Sequence, residues 1–394
     1  MKFDNLLRYA VRILAAYKWE IPLAGWLKNY FRENPQMGSR DRKQVSEMVY
    51  CFFRLGHSLK NISPEERILA GLFLSNPEQE PILEYLQPDW HAQVGLPLRE
   101  KLDILSKKHP DFDVLEIFPW QNALSAGIDH RSYCLSFLAK PRLFIRVRPG
   151  QEQVLTAKLK NQGLELRDAD PGGELPFRTF SFAGGTKLDN LFLLNREAVI
   201  QDLSSQRTAL VLKPDGKKEF EAWDCCAGSG GKSILLADLY PGCHLTVSDI
   251  RETILKNLSI RFTDAGIRPT HLFQADLTDQ NDLPRQSFNF ITADLPCTSS
   301  GTWSRSPEAL YYFDPQSITT YRQRQEKILS NVCTRLKPGG TLVYITCSVF
   351  TDENEKVVSG LLESGSMKLE QQELICGYEK QADSMFAARL LKVR

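Results

Sequence analysis

Apolar residues in the carboxyl half of the chain recur in short blocks separated by amphipathic stretches of helical length. From about residue 200 this pattern predicts strands and helices in turn, and a long helix over residues 314–336 precedes a further strand over residues 341–348. Such alternation is typical of an α/β fold with a doubly wound, mostly parallel sheet, in which ligands bind beyond the carboxyl ends of the strands. The predicted strands end at Cys226, Ile250, Asp276, Leu295 and Ser348.

The first 125 residues have the spacing of helices instead. A set of apolar residues falls on one helical face, and a polar stretch over residues 39–43 can begin that helix. The set comprises Val45, Met48, Val49, Phe52 and Phe53. A stripe of this kind is typical of a helix packed into a core, so residues 1–125 are predicted to form an all-helical domain.

Residues 126–199 mix the two patterns. Residues 143–148 alternate like a strand, residues 154–162 are spaced like a helix, and residues 164–167 resemble a second short strand. This succession predicts a small α/β module similar to an RNA-recognition motif, although the sequence lacks the aromatic-rich strand motif that stacks bases in such modules. Residues 200–394 form the third predicted domain.

A glycine-rich stretch separates the first predicted strand of the third domain from its helix. Residues 224–233 read Asp-Cys-Cys-Ala-Gly-Ser-Gly-Gly-Lys-Ser. Gly228, Gly230 and Gly231 let backbone N–H groups approach a ligand, and the start of the helix favours a polar or negative group. Asp249 ends the next predicted strand, at the place where a carboxylate binds ribose hydroxyls in dinucleotide folds. The stretch therefore predicts a nucleotide-shaped cofactor.

Three kinds of binding site are possible for this stretch. A phosphate-binding P-loop requires a glycine where Cys226 stands, so that pattern fails at its first position. A nicotinamide site requires a third small residue, which Gly228-x-Gly230-x-x-Ser233 nearly supplies. S-adenosyl-L-methionine is the third candidate, and the residues downstream decide between them.

Two predicted strands end in a thiol. Asp294 and Cys297 lie at the end of one strand, and Cys347 lies at the end of another. If these strands flank the glycine-loop strand, both sulfurs and the carboxylate line one rim beside the cofactor. A lone cysteine of this kind is usually buried filler. Two of them beside an acid suit methylation of pyrimidine carbon 5, because that carbon becomes nucleophilic only after a thiolate adds at carbon 6, and a base must later remove the carbon 5 proton.

At this point the chain resembles the RNA cytosine-5 methyltransferases of the RsmB (Fmu/Sun) family. The matching stretches follow the family's order over nearly the whole carboxyl half. They are residues 201–206 (Gln-Asp-Leu-Ser-Ser-Gln), 224–232, Asp249, Asp276, 294–297 (Asp-Leu-Pro-Cys), 301–307 (Gly-Thr-Trp-Ser-Arg-Ser-Pro), 337–340 (Lys-Pro-Gly-Gly), 346–348 (Thr-Cys-Ser) and 353–354 (Glu-Asn). The amino-terminal helices faintly resemble the family's NusB-like RNA-binding domain.

The resemblance implies a Rossmann-like methyltransferase fold and a role for each matching residue. Cys347 would be the nucleophile, Cys297 would help to eliminate the enzyme from the product, and Asp294 would lie between methyl donor and base. Gln201, Asp202 and Arg305 would shape the RNA cleft. Arg324 and Lys327 are expected on a solvated face. The residues implied in binding S-adenosyl-L-methionine are Cys226, Ala227, Gly228, Ser229, Gly230, Gly231 and Lys232 for the methionine part, Asp249 for the ribose, Asp276 for the adenine end, and Asp294.

Charge supports a polyanionic partner only in the first segment. The whole chain has a formal net charge of +1, but residues 1–60 carry eleven Lys and Arg against five acids. A basic first segment is expected of a protein that binds RNA, and a solvated helical face would account for the same charge.

No apolar stretch near the amino terminus is long enough for a signal peptide or a membrane span, and the nine cysteines lack metal-site spacing. A cytoplasmic monomer without metal is the expectation.

The sequence therefore predicts an S-adenosyl-L-methionine-dependent enzyme that forms 5-methylcytosine in structured RNA, with ribosomal RNA favoured over transfer RNA. Two alternatives remain open: a transfer RNA cytosine-5 methyltransferase, and a non-catalytic ribosome-assembly factor that keeps the fold as an RNA-binding body. The presence of both Cys297 and Cys347 argues against the second, because a protein that only binds RNA needs neither thiol.

Overall fold

The computed structural model describes residues 2–76, 78, 81–188, 190–213 and 218–393. Met1 and Arg394, where the first and last predicted domains begin and end, lie outside the described residues. The α-helices are α1 Phe3–Ala16, α2 Leu23–Glu33, α3 Ser39–Arg54, α4 Pro64–Ser75, α5 Pro81–Leu86, α6 Pro88–His91, α7 Leu98–Lys108, α8 His130–Ser136, α9 Glu152–Asn161, α10 Leu203–Arg207, α11 Gly231–Leu239, α12 Glu252–Ala265, α13 Pro307–Tyr311, α14 Gln316–Val332 and α15 Glu355–Glu363. The strands are β1 Leu143–Val147, β2 Arg167–Asp168, β3 Thr179–Phe182, β4 Ala198–Ile200, β5 Phe220–Asp224, β6 Cys243–Asp249, β7 His271–Gln274, β8 Phe288–Asp294, β9 Leu336–Thr346, β10 Met367–Ile375 and β11 Met385–Lys392.

The chain divides into two compact units. The first comprises Met1–Leu124, Ile128–Lys140 and Thr302–Asp314, and the second comprises Ser125–Gly127, Pro141–Gly301 and Pro315–Arg394. The three-domain division at residues 125 and 199 remains a prediction. In the part of the chain that the structure describes, every helix is too short or too polar to cross a membrane.

The first unit is helical, as the spacing of its apolar residues predicts. The apolar stripe lies on α3 and is buried throughout. In α4, the N-cap Ser63 accepts a hydrogen bond from the N–H of Glu66, and Pro64 occupies the first turn, where a missing N–H has no cost. Arg67 on the same helix is buried and donates to the carbonyl oxygens of Phe52, Gly56 and Ser58. This arginine therefore satisfies backbone oxygens at the end of α3.

The second unit contains a four-stranded antiparallel sheet in the order β2-β3-β1-β4. Helix α9 packs Leu155 and Leu159 against it. The predicted second strand over residues 164–167 is wrong in extent, since β2 covers only Arg167–Asp168. Leu164 and Leu166 are spaced like strand residues, yet both pack against the small core of the module. Their alternation reflects burial without strand pairing.

The larger sheet has seven strands in the order β10-β11-β9-β8-β5-β6-β7. The five strands from β9 to β7 are parallel, and β10 and β11 form an antiparallel pair at the β9 edge. Helices α11 and α12 bury one face of the sheet, and α14 and α15 bury the other. This is the predicted doubly wound, mostly parallel sheet.

One expectation about this sheet is wrong. The strands that lead to Cys297 and Cys347 do not flank the glycine-loop strand β5, because β8 pairs with both β5 and β9. Both thiol strands therefore lie on the same side of β5. Since all three are parallel, their carboxyl ends still meet at one edge of the sheet.

Helices α3 and α4 cross at a point where only glycine fits. A Cβ built at Gly71 would lie 2.2 Å from the carbonyl oxygen of Cys51. At Gly25 on α2 the nearest atom would be 3.8 Å away. We expect Gly71→Ala to destabilise the first unit by about 1–3 kcal/mol through overpacking, whereas Gly25→Ala should be neutral or slightly stabilising.

Urea unfolding followed by tryptophan fluorescence tests this difference, because all of the six tryptophans except Trp223 lie in the first unit. Equal unfolding midpoints for the two variants would show that the helix crossing tolerates a methyl group.

Candidate active site

A cavity of about 420 Å³ opens beyond the carboxyl ends of the parallel strands in the second unit. Its described walls include many of the predicted site residues, namely Cys226, Gly228, Asp249, Asp276, Asp294, Cys297 and Cys347. They do not include Ala227, Ser229, Gly230, Gly231 or Lys232. The residues from five strand ends therefore share one cavity, while part of the glycine loop is absent from its described wall.

The glycine loop requires glycine at two positions. Gly228 has φ of 53° and Gly230 has φ of 84°, a left-handed region that side chains disfavour. A Cβ at Gly230 would also lie 2.1 Å from Cδ1 of Leu258 on α12. The backbone oxygen and Oγ of Ser229 accept hydrogen bonds from Arg261 on the same helix, at 2.6 and 3.0 Å. The loop is thus packed against α12.

Asp249 at the end of β6 is joined to the glycine loop. Its Oδ2 accepts the Gly228 N–H at 2.9 Å, and the Arg251 guanidinium donates to both carboxylate oxygens, at 3.0 and 3.2 Å. Burial alone would raise the pKa of Asp249, but the hydrogen bonds and charge of Arg251 outweigh burial and leave this pKa lowered. The carboxylate is therefore ionised and oriented toward the loop. Sequence reasoning missed Arg251.

Asp276 follows β7 on the same cavity wall. Its Oδ1 accepts the N–H and the hydroxyl of Thr278, at 3.0 and 2.8 Å. These hydrogen bonds lower the pKa of Asp276. Ile250 and Leu277 stand beside the two carboxylates in the wall. Carboxylates next to apolar side chains suit a ligand with a flat apolar ring and polar edges.

Lys232 pairs with Asp294 across the loop. Its Nζ lies 2.7 Å from Asp294 Oδ2, and both side chains are largely shielded from solvent. Burial alone would lower the pKa of Lys232, but the Asp294 charge outweighs burial and raises it. The lysine thus contacts the carboxylate at the end of β8. Its predicted contact with the cofactor stays a prediction.

The two thiols meet in the cavity. Cys297 Sγ lies 3.4 Å from Cys347 Sγ, and Cys347 Sγ lies 3.5 Å from Ser299 Oγ. The hydrogen bond from the Cys297 thiol lowers the pKa of Cys347, while burial and Asp294 oppose that change. The same contact, together with burial, raises the pKa of Cys297 well above its ordinary value. The contact therefore favours a thiolate on Cys347 and a thiol on Cys297.

Backbone contacts hold the two thiol-bearing turns side by side. Leu295 N–H donates to Ile345 O at 3.0 Å, and Gly301 N–H donates to Cys347 O at 2.9 Å. A Cβ at Gly301 would lie 2.0 Å from the carbonyl oxygen of Ser384, so a larger residue would displace this turn from the segment that holds Ser384. Ser299, in the turn that carries Cys297, has φ of 58°, a strained conformation for serine.

Helix α14 contributes side chains that sequence reasoning did not assign to the site. Tyr321, Arg324 and Ile328 line the cavity. The expectation that Arg324 belongs to a purely solvated face is incomplete, because the residue is exposed and also forms part of the wall. These residues recur at i, i+3 and i+7, so their shared helical face was visible in the sequence once the helix was placed.

Two of the residues expected to shape an RNA cleft make contacts within the second unit. Gln201 is 6% exposed and its Oε1 accepts from Arg146 at 2.9 Å. Asp202 caps α10 by accepting the N–H of Ser204 at 2.8 Å, and it also accepts the N–H of Asp383 at 3.1 Å. Both residues stabilise the second unit internally.

The chain is similar to a known methyltransferase family and to several solved structures. Residues 209–391 match the family model described as 16S rRNA methyltransferase RsmB/F. Ribosomal RNA small subunit methyltransferase B of Salmonella newport (strain SL254) is 31% identical over 202 residues, which cover 49% of this chain and 46% of that protein. The chain thus spans about half the length of the curated relatives it matches.

Two solved structures have the same fold. PH0851 is 20% identical, with a TM-score of 0.69 over 100% of this chain and 99% of that one. NSun6 from Pyrococcus horikoshii, solved with SFG, is 18% identical, with a TM-score of 0.57 over 67% of this chain and 95% of that one. At these identities the likeness concerns the fold alone.

The geometry predicts an unequal reactivity of the thiols. We expect iodoacetamide to modify Cys347 at lower pH than Cys376, because the pKa of Cys347 is lowered and burial raises that of Cys376. Cys297→Ala should shift the Cys347 profile to higher pH, since the thiolate loses its S–H donor. Peptide mapping by mass spectrometry across a pH series measures both profiles. Modification of Cys297 before Cys347 would reverse the assignment of thiol and thiolate.

Proposed function

Because residues 209–391 belong to the RsmB/F family of methyltransferase domains, we propose that the chain forms 5-methylcytosine in RNA with S-adenosyl-L-methionine as methyl donor. The observation that carries this proposal is the pair of sulfurs 3.4 Å apart, in a cavity that Asp294 also lines. A carbon 5 methyltransferase needs one sulfur to add to the base and a second group to assist its release, and this pair supplies both.

The residues of the cavity fit the cofactor. Asp249 would accept hydrogen bonds from the ribose hydroxyls, and Asp276 would contact the adenine edge while Ile250 and Leu277 cover the ring. The left-handed conformation of Gly228 lets the loop backbone approach the methionine end. When bound, S-adenosyl-L-methionine supplies an electrophilic methyl group on a positively charged sulfur.

The chain's own residues would activate the cytosine. The Cys347 thiolate forms a bond to carbon 6, and the ring electron pair moves to make carbon 5 an enamine carbon. Asp294, held by Lys232 at 2.7 Å, would bind the ring N3 or the exocyclic amine and so stabilise the charge that develops on the ring. Carbon 5 then takes the methyl group, and the bond from that methyl to the donor sulfur breaks.

Release of the product requires a base and a leaving group. Removal of the carbon 5 proton returns the electron pair to the ring and breaks the bond between carbon 6 and Cys347. We assign assistance in this step to Cys297, whose sulfur is within contact of the leaving thiolate. A base in a stacked helix cannot reach the cavity, so the cytosine must leave its stack. We favour ribosomal RNA as substrate, and hence action in the cytoplasm.

Single substitutions separate the roles of the thiols. Cys347→Ala should abolish methylation, with a loss on the order of 10⁴-fold or more, because the nucleophile is removed. Cys297→Ala should instead accumulate a protein–RNA adduct that survives denaturing gels, because addition proceeds and release does not. A small-subunit ribosomal RNA transcript with radiolabelled S-adenosyl-L-methionine is the assay, and bisulfite sequencing locates the modified base.

Cys243→Ala serves as the matched control, because Cys243 begins β6 at the opposite end of the sheet from the cavity. Its methylation should equal that of the unaltered protein. Full activity of Cys347→Ala would overturn the proposed mechanism, and methylation of transfer RNA in preference to ribosomal RNA would overturn the substrate.

A further inference from the structure

Glu353 is a buried carboxylate to which the proposed reaction gives no role. It ends the short turn Thr351–Glu353 after β9 and is 0% exposed. Its Oε1 accepts the backbone N–H of Thr298 at 2.7 Å. Its Oε2 accepts the hydroxyls of Thr298 and Ser348, at 2.6 and 2.5 Å. One side chain therefore binds two separate segments of the chain.

Those two segments are the turns that carry the thiols. Thr298 directly follows Cys297, and Ser348 directly follows Cys347. A second link runs parallel to the first, since Ser300 Oγ lies 3.2 Å from Ser348 Oγ and accepts the Val349 N–H at 2.9 Å. The two thiol-bearing turns are thus coupled through the Glu353 carboxylate and, in parallel, through the Ser300 hydroxyl.

Burying this carboxylate has a cost that its contacts must offset. Burial raises the pKa of Glu353, and the hydrogen bonds from Ser348 and Thr298 act in the opposite direction. Hydrogen bonds to a buried carboxylate are short and strong, and removing such an acceptor leaves its donors unsatisfied. An apolar side chain would fill the same space without that desolvation cost. The presence of a carboxylate at position 353 is therefore explained by the two thiol-bearing turns that it joins.

We infer that Glu353 is a positioning residue that sets the separation of the two thiols by binding Thr298 and Ser348 together. The inference rests on the proposed function, because only a reaction that uses both sulfurs requires their separation to be constant. Glu353 itself does not line the described cavity wall, so it acts through the two turns. A misplacement of about 1 Å at a reacting centre costs about 100-fold in rate.

Three variants test this role with the full chain. Glu353→Ala removes the contacts to Thr298 and to Ser348. Ser348→Ala removes the contacts of the Ser348 hydroxyl with Glu353 and Ser300 and leaves those between Glu353 and Thr298. Glu353→Gln keeps an oxygen for the Thr298 N–H, and the two hydroxyls can rotate to accept from its amide. Glu355→Ala is the matched control, because Glu355 accepts a hydrogen bond from Ser125, which lies outside both thiol turns.

The first readout needs neither RNA nor cofactor. Phenylarsine oxide bridges two thiols only when they are held close together, and peptide mapping shows whether Cys297 and Cys347 are protected from iodoacetamide. We expect protection in the unaltered protein and in Glu355→Ala. Apparent affinity should fall about 100-fold in Glu353→Ala and in Ser348→Ala, because one free sulfur loses the chelate advantage. Glu353→Gln should retain most of the affinity for phenylarsine oxide.

The second readout is single-turnover methylation of the ribosomal RNA transcript at saturating cofactor. We expect about a 10- to 100-fold slower turnover for Glu353→Ala and Ser348→Ala, with substantial rescue in Glu353→Gln. Binding of S-adenosylhomocysteine, measured by calorimetry, should not change, because the cofactor residues are untouched. A role in folding alone would lower the melting temperature without releasing the thiol pair.

The outcomes separate this inference from the proposed function. If the unaltered protein binds phenylarsine oxide but methylates no RNA, the proposed function fails and the thiol readout still tests Glu353. If Glu353→Ala does not fold, Ser348→Ala decides the matter. If folded Ser348→Ala and Glu353→Ala bind phenylarsine oxide as tightly as the unaltered protein, the inference is overturned. It is also overturned if Glu355→Ala loses as much affinity for phenylarsine oxide as they do.

Discussion

The parallel pairing of β8 with β9 is the constraint on which the site depends. Asp294 pairs with Ile345, and Leu295 continues the ladder by donating its N–H to the Ile345 carbonyl. Strands β8 and β9 therefore end at the same level and on the same edge of the sheet. Cys297 and Cys347 lie fifty positions apart in the chain, but each is only two or three residues beyond this shared level. A slip of the register would separate the sulfurs.

Two carboxylates that line the cavity are each paired with a cation. Lys232 binds Asp294, and Arg251 binds Asp249, where the contact with Arg251 lowers the carboxylate pKa although burial opposes it. An unpaired charge at these depths would be strongly destabilising. The two cysteines of the cavity differ in acidity, because the contact between their sulfurs favours a thiolate on Cys347 and a thiol on Cys297. The electrostatics thus distinguish two residues of identical type.

Sequence reasoning identified the strand ends because they carry a strong local signal. An apolar run followed by a carboxylate, or by a proline and a thiol, marks the place where a buried strand reaches the sheet edge. Arg251, Tyr321 and Glu353 escaped assignment for a different reason. A charged residue after a strand, a tyrosine in a polar helix and an acid in a turn are all common on surfaces, and only packing shows that these three face the cavity or the turns beside it.

The residue pattern by itself determined the doubly wound sheet, the glycine turn and the two thiols at strand ends, because each follows from local periodicity and from backbone conformations that few residues can adopt. Tertiary structure decided the strand order, which places β8 between β5 and β9, and it decided which polar atoms meet. Strand order depends on long-range pairing of chemically similar apolar strands, so no local pattern encodes it. That pairing brings the two sulfurs, which lie 3.4 Å apart, to the same edge of the sheet.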